Sequence, residues 1–221
     1  MNIIFSDDDS LQHVIIGWIE VAGASVQSSS ESFRTSLQEL ITVRAQHGFS
    51  PNSLKQAVRE MLRRGGFKPA GRQKPASEYL LQAARAGDFP FINAPVDCNN
   101  YFSLKTGFPI SILDSRITGE TVIVKIAQSG ESYIFNAGGQ AMDLEGLLCI
   151  CNSDGLPLGN PVKDSMLAKL KETSTDFAGF IYVPQVLHND KEVTELSGEF
   201  AELVQKECGG VIKGFGAERR K

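Results

Sequence analysis

Lys55, Arg59 and Arg63 recur every four residues, a spacing that sets three cations in one row on a helix surface. Arg64, Lys68, Arg72 and Lys74 follow, so residues 55–74 hold seven basic side chains against Glu60 alone. A basic row running into a basic loop suits contact with nucleic-acid phosphates, which position an RNA without reading its sequence. The plain alternative is the solvated face of an amphipathic helix. A second polar group, Asp97, Asn99 and Asn100, lies between Pro95 and Pro109, which fix backbone direction on either side. Asn and Asp bind backbone groups locally, so Asp97 and Asn99 read equally as an ordered turn.

Several chemistries have no signature here. There is no Gly-x-x-x-x-Gly-Lys-Ser/Thr loop, and Gly214-Phe215-Gly216 lacks both the third glycine and a following helix for a dinucleotide. No Gly-x-Ser-x-Gly elbow occurs. His13, His47 and His188 stand singly, so no metal site and no cofactor are expected. His47, beside Gly48, reads as a partner of a helix C-terminus. Cys98, Cys149, Cys151 and Cys208 include no Cys-x-x-Cys pair. Two residues apart on a strand, Cys149 and Cys151 share a face, which suits core packing. All four are read as reduced thiols of a cytoplasmic protein.

These residues need elements to position them. Residues 30–47 place Phe33, Leu37, Leu40 and Ile41 at helical spacing, with Gly48 as the stop. Ser50-Pro51 opens a second helix that buries Leu54, Ala57, Val58, Met61 and Leu62 and ends at Gly65-Gly66. Ser77 is expected to cap a third, with Tyr79, Leu80, Ala83 and Ala84 inward and Gly87 at its end. Residues 14–21, 121–126, 132–135, 147–151 and 179–183 are short β-rich runs between Gly, Asp and Asn turns. A last helix spans about 192–206, before Gly209-Gly210, and a small basic cluster closes the chain at Arg219-Arg220-Lys221. Helices first, sheet in the middle and helix last make an α+β fold rather than an alternating βαβ one.

The chain has 221 residues, 42% of them hydrophobic and 22% charged, which fits one large globular unit and excludes disordered or fibrous classes. The apolar stretch 14–26 is interrupted by Glu20 and falls short of the roughly 20 residues of a membrane span. The apolar start at 3–5 is too short for a signal segment, and Asp7, Asp8 and Asp9 follow it. A net charge of −4 argues against nucleic-acid binding by bulk charge, so any such contact rests on the 55–74 segment. The expected organisation is a mostly helical portion over 1–88 packed on the same core, a core at 89–190, and a C-terminal helix with a basic tail at 191–221.

Residues 91–155 contain PVDCNNYFSLKTGFP, then Leu113-Asp114 with a following Gly119, then SGESY. In this order the segments resemble the B3/B4 domain of the phenylalanyl-tRNA synthetase β subunit. They are closer still to stand-alone bacterial B3/B4-domain proteins, which also carry a helical basic N-terminal portion like RRGGFKPAGRQKPASEYLL. The resemblance is strongest over 91–155 and looser over 40–185. It implies a layered α+β domain around an unusual β-sandwich. It also implies a pocket that, in the synthetase, hydrolyses tyrosine mistakenly attached to the phenylalanine tRNA. Asn100 and Pro109 match the family's pocket Asn and Pro. Ser111 stands where the synthetase has a His, and residues 175–183 contain no match for the Glu that recognises the tyrosine hydroxyl.

An aminoacyl ester is already activated, so a pocket need only orient the ester and a water and bind the amine. Asn100 and Ser111 are the candidate catalytic residues, each orienting a water or carbonyl, although Ser111 has no evident base. Asp97, Asn99, Pro109 and Glu131 are candidate ligand contacts, with Glu131 either holding the α-amine or serving the turn after Gly130. Cys98 reads as buried rather than nucleophilic. Lys55, Arg59, Arg63, Arg64, Lys68, Arg72 and Lys74 are the candidate RNA contacts. The expected partner is tRNA or aminoacyl-tRNA, with neither membrane nor DNA, and no oligomeric state is set. The expected function is aminoacyl-tRNA binding with hydrolysis of mischarged species in trans. The alternative is a non-catalytic module of the same fold that holds RNA or a small amino-acid-like ligand. Ligation of an amino acid to tRNA is disfavoured, since no ATP-binding aminoacylation signature occurs.

Overall fold

The computed structural model describes residues 1–221 except Asn52, and Arg72 without its side chain. The chain runs β1 (Asn2–Phe5), β2 (Val14–Ala22), α1 (Glu31–His47), α2 (Ser53–Arg63), α3 (Ala76–Ala86), α4 (Ala94–Thr106), β3 (Ile110–Asp114) and α5 (Ser115–Thr118). It continues with β4 (Thr121–Ile126), β5 (Ser132–Ile134), β6 (Ala141–Asp143), β7 (Leu148–Cys151), β8 (Pro157–Gly159), β9 (Phe177–Pro184), α6 (Asp190–Cys208) and β10 (Val211–Arg219). Short 3-10 turns stand at Asp9–His13 and Gly71–Gln73.

Two four-stranded sheets carry the core. One has the order β1-β4-β7-β8 and the other β10-β2-β9-β3, while β5 and β6 pair as a hairpin. Only β1 and β4 pair in parallel among the described residues. The two faces of β3 sort the layers. Ser111 and Leu113 turn toward Gly159 of β8, and alternation sends Ile110 and Ile112 to the opposite, helical face. There Ile112 is in register with Gly179 of β9, where a Cβ would stand 2.7 Å from Phe200 Cε1 of α6. That absent side chain lets α6 press onto the sheet, and Phe102 of α4 stacks on Phe200 with ring centroids 5.2 Å apart.

The N-terminal helices pack on this body. Helix α1 starts at Ser30, whose Oγ accepts the Phe33 N–H, and buries Phe33, Leu37 and Ile41. Backbone meets backbone where the segment after α2 reaches the turn before β7. A Cβ on Gly65 would lie 2.3 Å from the Gly146 oxygen, and one on Gly146 2.6 Å from the Gly65 oxygen.

The sequence reading and the structure part in three places. The Asp97–Asn100 cluster is not a turn but the first turns of α4. This helix buries residues all round, so it shows no one-sided apolar rhythm. Its real signals are the Asn93 cap, which accepts the Val96 N–H, Pro95 in the first turn and Gly107 at the end. The third helix is capped at Pro75, and Ser77 is buried inside it. Beyond α6 the chain forms β10 on the edge of the central sheet, beside β2. Its alternation is masked by Gly214 and Gly216, over which the Trp18 ring lies.

Candidate functional site

Helices α3 and α4 and strand β3 enclose a cavity of about 390 Å³. Ala76, Tyr79, Leu80 and Ala83 form one face of α3, a helical i, i+3, i+4, i+7 set. Asn99, Asn100 and Ser103 come from α4, Ile110 from β3 and Val162 and Lys163 from the loop after β8, with Pro90 completing the lining. The walls are mostly apolar, with a few converging polar groups, as in sites for small ligands.

The polar groups differ in how they are engaged. Asn99 Nδ2 makes a long 3.4 Å hydrogen bond to Asn100 Oδ1. Asn99 Oδ1 is buried with no hydrogen-bond partner. Ser103 Oγ donates to the Phe108 carbonyl at 2.6 Å. The Tyr79 hydroxyl donates to the Gly71 carbonyl at 3.3 Å, and Lys163 Nζ sits 4.2 Å from the centre of the Phe135 ring. Tyr79 and Lys163 thus lend mainly their stems to the cavity.

The structure brings Asn99 and Asn100 together and sets Pro109 next to the Ile110 wall, its carbonyl accepting the Tyr182 N–H. Asp97 lies on α4 outside this lining. Its carboxylate accepts from Ser29 Oγ at 2.6 Å and from the Ile92 N–H at 2.8 Å, tying the segment before α4 to its first turn. Glu131 is also outside the lining, accepting from Lys125 Nζ at 2.6 Å and from the Gln128 N–H at 2.7 Å. Partial burial pulls its carboxyl upward, but Lys125 and that N–H hold it below the usual range. Cys98 is fully buried, and the interaction with the Cys208 thiol, together with burial, pushes its own thiol far up, away from the thiolate a nucleophile needs.

Ser111 points away from the cavity, because it follows Ile110 on a strand. Its Oγ donates to Asp164 Oδ1 at 2.6 Å and lies 2.9 Å from the Tyr182 hydroxyl. Asp164 is half-buried as a residue, but its carboxylate is enclosed, and burial raises its pKa to about 6 against the hydrogen bonds from Ser111 and the Asn160 N–H. The same burial raises the Tyr182 phenol. This network underlies the 160–164 loop that supplies Val162 and Lys163 to the cavity lining. Apart from the Asn160 N–H of its own loop, Asp164 is held by Ser111, which arrives from β3, a pairing that is not marked in the sequence.

The basic segment is partly neutralised inside the chain. Arg59 grips the buried Glu78 carboxylate with Nε and Nη2, at 2.6 and 2.8 Å, and Lys55 Nζ lies 3.3 Å from the same group. Arg63 pairs with Glu60, and Lys74 Nζ donates to Gln82 at 2.6 Å while lying over the Tyr79 ring. Lys68 borders a polar cleft of about 590 Å³, and Arg64 a cleft of about 710 Å³ beside α2. The Arg72 side chain lies outside the described residues. Through Glu78 and Gln82, Lys55, Arg59 and Lys74 lie beside α3, whereas Arg64 and Lys68 border the other clefts.

Among the described residues no cluster of three or more His, Cys, Asp or Glu side chains could hold a metal ion, and no helix is long and apolar enough to cross a membrane.

The structure is a two-sheet α+β body with a small, mostly apolar cavity between α3, α4 and β3. The chain belongs to the B3/4 domain family, whose model matches residues 68–197. Its fold is similar to "an N-terminal fragment of the phenylalanyl-tRNA synthetase beta-subunit from Pyrococcus horikoshii", with a TM-score of 0.50 and 12% identity. The match covers 96% of this chain and 50% of that one, so the chain spans about half the length of the solved fragment. No curated protein matches the chain.

Proposed function

We propose that the α3–α4–β3 cavity receives the aminoacyl end of an aminoacyl-tRNA and that the protein hydrolyses mischarged species. One observation carries this reading: paired asparagine amides converge on an otherwise apolar cavity in a B3/4-family fold. The Asn100 amide orients the ester carbonyl or an attacking water, and the activated ester needs little more than that alignment. Asn99 and the Pro109–Ile110 segment shape the cavity, and Asp97 fixes the start of α4. The tRNA backbone follows the basic segment, through Lys55, Arg63, Arg64, Lys68 and Lys74 more than Arg59, whose guanidinium already serves Glu78.

A second reading, ligand binding without turnover, is favoured by the orientation of Ser111. Its hydroxyl is committed to Asp164 and Tyr182 on the far side of β3, so it offers no nucleophile to the cavity.

Deacylation of a panel of mischarged tRNAs, beginning with tyrosyl-tRNA of the phenylalanine acceptor, separates the two. Turnover that falls by about a hundredfold or more in Asn100→Ala, as for loss of an orienting amide, supports hydrolysis. Binding without turnover on every member supports the module. Binding of tRNA should weaken with salt, and Lys68→Ala with Lys74→Ala should lower the log–log salt slope by about 1 for each phosphate no longer neutralised. A slope unchanged by both substitutions removes the basic segment from the interface.

A further inference from the structure

The chemistry of the cavity goes further than a generic amino-acid site. Its only buried polar atom without a partner among the described residues is Asn99 Oδ1, a carbonyl acceptor. Asn100 Oδ1 receives one long bond of 3.4 Å and keeps room for another donor. The cavity therefore offers these two acceptors at its α4 side, beside the Asn100 amide N–H donors that would take the ester carbonyl. Across from them stand Leu80, Ala83, Ile110 and Val162, which offer a ligand no hydrogen bond from their side chains. The Ser103 hydroxyl proton is taken by the Phe108 carbonyl, the Tyr79 hydroxyl by Gly71, and the Lys163 ammonium lies over Phe135. A donor is wanted at one end of the ligand, and no polar group is wanted at the other.

We infer that the cavity selects an aminoacyl group with a hydroxyl-free apolar side chain, of the leucine or phenylalanine type, whose α-amine donates to Asn99 Oδ1. This rests on the aminoacyl reading above and narrows it. A tyrosine ring in the same place would bury its hydroxyl among Leu80, Ala83, Ile110 and Val162, and an unpaired buried hydroxyl is disfavoured. The discrimination expected from such a wall is about tenfold to a hundredfold.

The test uses amino-acid amides, which carry the α-amine but no hydrolysable ester, titrated into the full chain by calorimetry. Leucinamide or phenylalaninamide should bind at least tenfold tighter than tyrosinamide. The amine-free analogues 4-methylpentanamide and 3-phenylpropanamide should bind at least tenfold weaker than their parents. Asn99→Ala should erase the preference for the amine and leave the preference against the hydroxyl. Should that variant fold poorly by circular dichroism, Ala83→Leu, which fills the cavity from α3, should abolish amide binding instead. Tyrosinamide binding as tightly as phenylalaninamide overturns the inference, as does an unchanged amine preference in Asn99→Ala, or no binding of any amide. The outcomes stay separable from the hydrolase reading. Tyrosyl-tRNA turnover with tight tyrosinamide binding keeps that reading and sinks the inference, and selective amide binding without deacylation does the reverse.

Discussion

Asp164→Asn should make the protein more stable at pH 8 and not at pH 4. The Asp164 carboxyl has a pKa of about 6 in the fold because burial disfavours its charge, against an ordinary value of 3.8. A carboxyl whose pKa rises on folding holds its proton more tightly in the native state. Its contribution is fully present below about pH 4 and is lost as pH climbs through about 6. Over that window the parent should lose about 3 kcal/mol relative to a variant that carries no charge there. Asparagine keeps an oxygen that accepts from Ser111 Oγ and the Asn160 N–H, so the 160–164 loop stays anchored. Glu131 and Asp114 have lowered values and shift the parent curve the other way, losing stability as pH falls. They are common to both proteins and cancel in the difference. Urea unfolding of both chains from pH 3.5 to 8 reads the effect. Curves that run parallel across that range would mean that Asp164 is not held protonated by the fold.

The second large effect belongs to Gly146. Its φ of +74° lies in the left-handed region, which costs a residue with a side chain roughly 1–2 kcal/mol. Its Cβ would also meet the Gly65 oxygen at 2.6 Å and the Phe67 nitrogen at 3.0 Å. Both are backbone atoms, so relief requires the α2–α3 connection to back away from the β6–β7 turn. Gly146→Ala should therefore destabilise by about 3 kcal/mol or more, in the range of overpacking plus backbone strain. Gly139→Ala is the matched control: its φ is also +74°, but nothing lies within 4 Å of the added carbon. It should show the conformational penalty alone. Equal losses in the two variants, measured by denaturant unfolding, would remove the contact between the two turns from the account.

Much of this architecture was legible because each element announces itself on one face. Phe33, Leu37 and Ile41 mark α1, and short β-rich runs between turn residues mark β4, β7 and β9 within a residue or two. Elements buried on every side were harder to see. Helix α4 carries Ala94, Cys98, Phe102 and Leu104 inward together with Asp97, Asn100 and Ser103, so polar residues occupy core positions and the rhythm disappears. The candidate site shows the same division. Motif order points to Asn100 and Pro109, and of these Asn100 lines the cavity together with Asn99. The orientation of Ser111 needed only the alternation of a strand, once β3 was known to be one. Asp164 had no such handle. Its role comes from three segments that meet only in the folded chain.

The placement of β10 bears on how the chain is made. It is hydrogen-bonded along β2, which is made long before it, and Arg220 closes on Asp9 across a separation of 211 positions. On the ribosome β2 therefore waits with one edge open until residue 219 has cleared the exit tunnel. The sheet holding β2 stays unfinished until then, and pairing over so long a loop is slow. An apolar edge exposed for that interval is open to strand addition from other nascent chains, so synthesis rate and chaperone supply should govern the soluble yield.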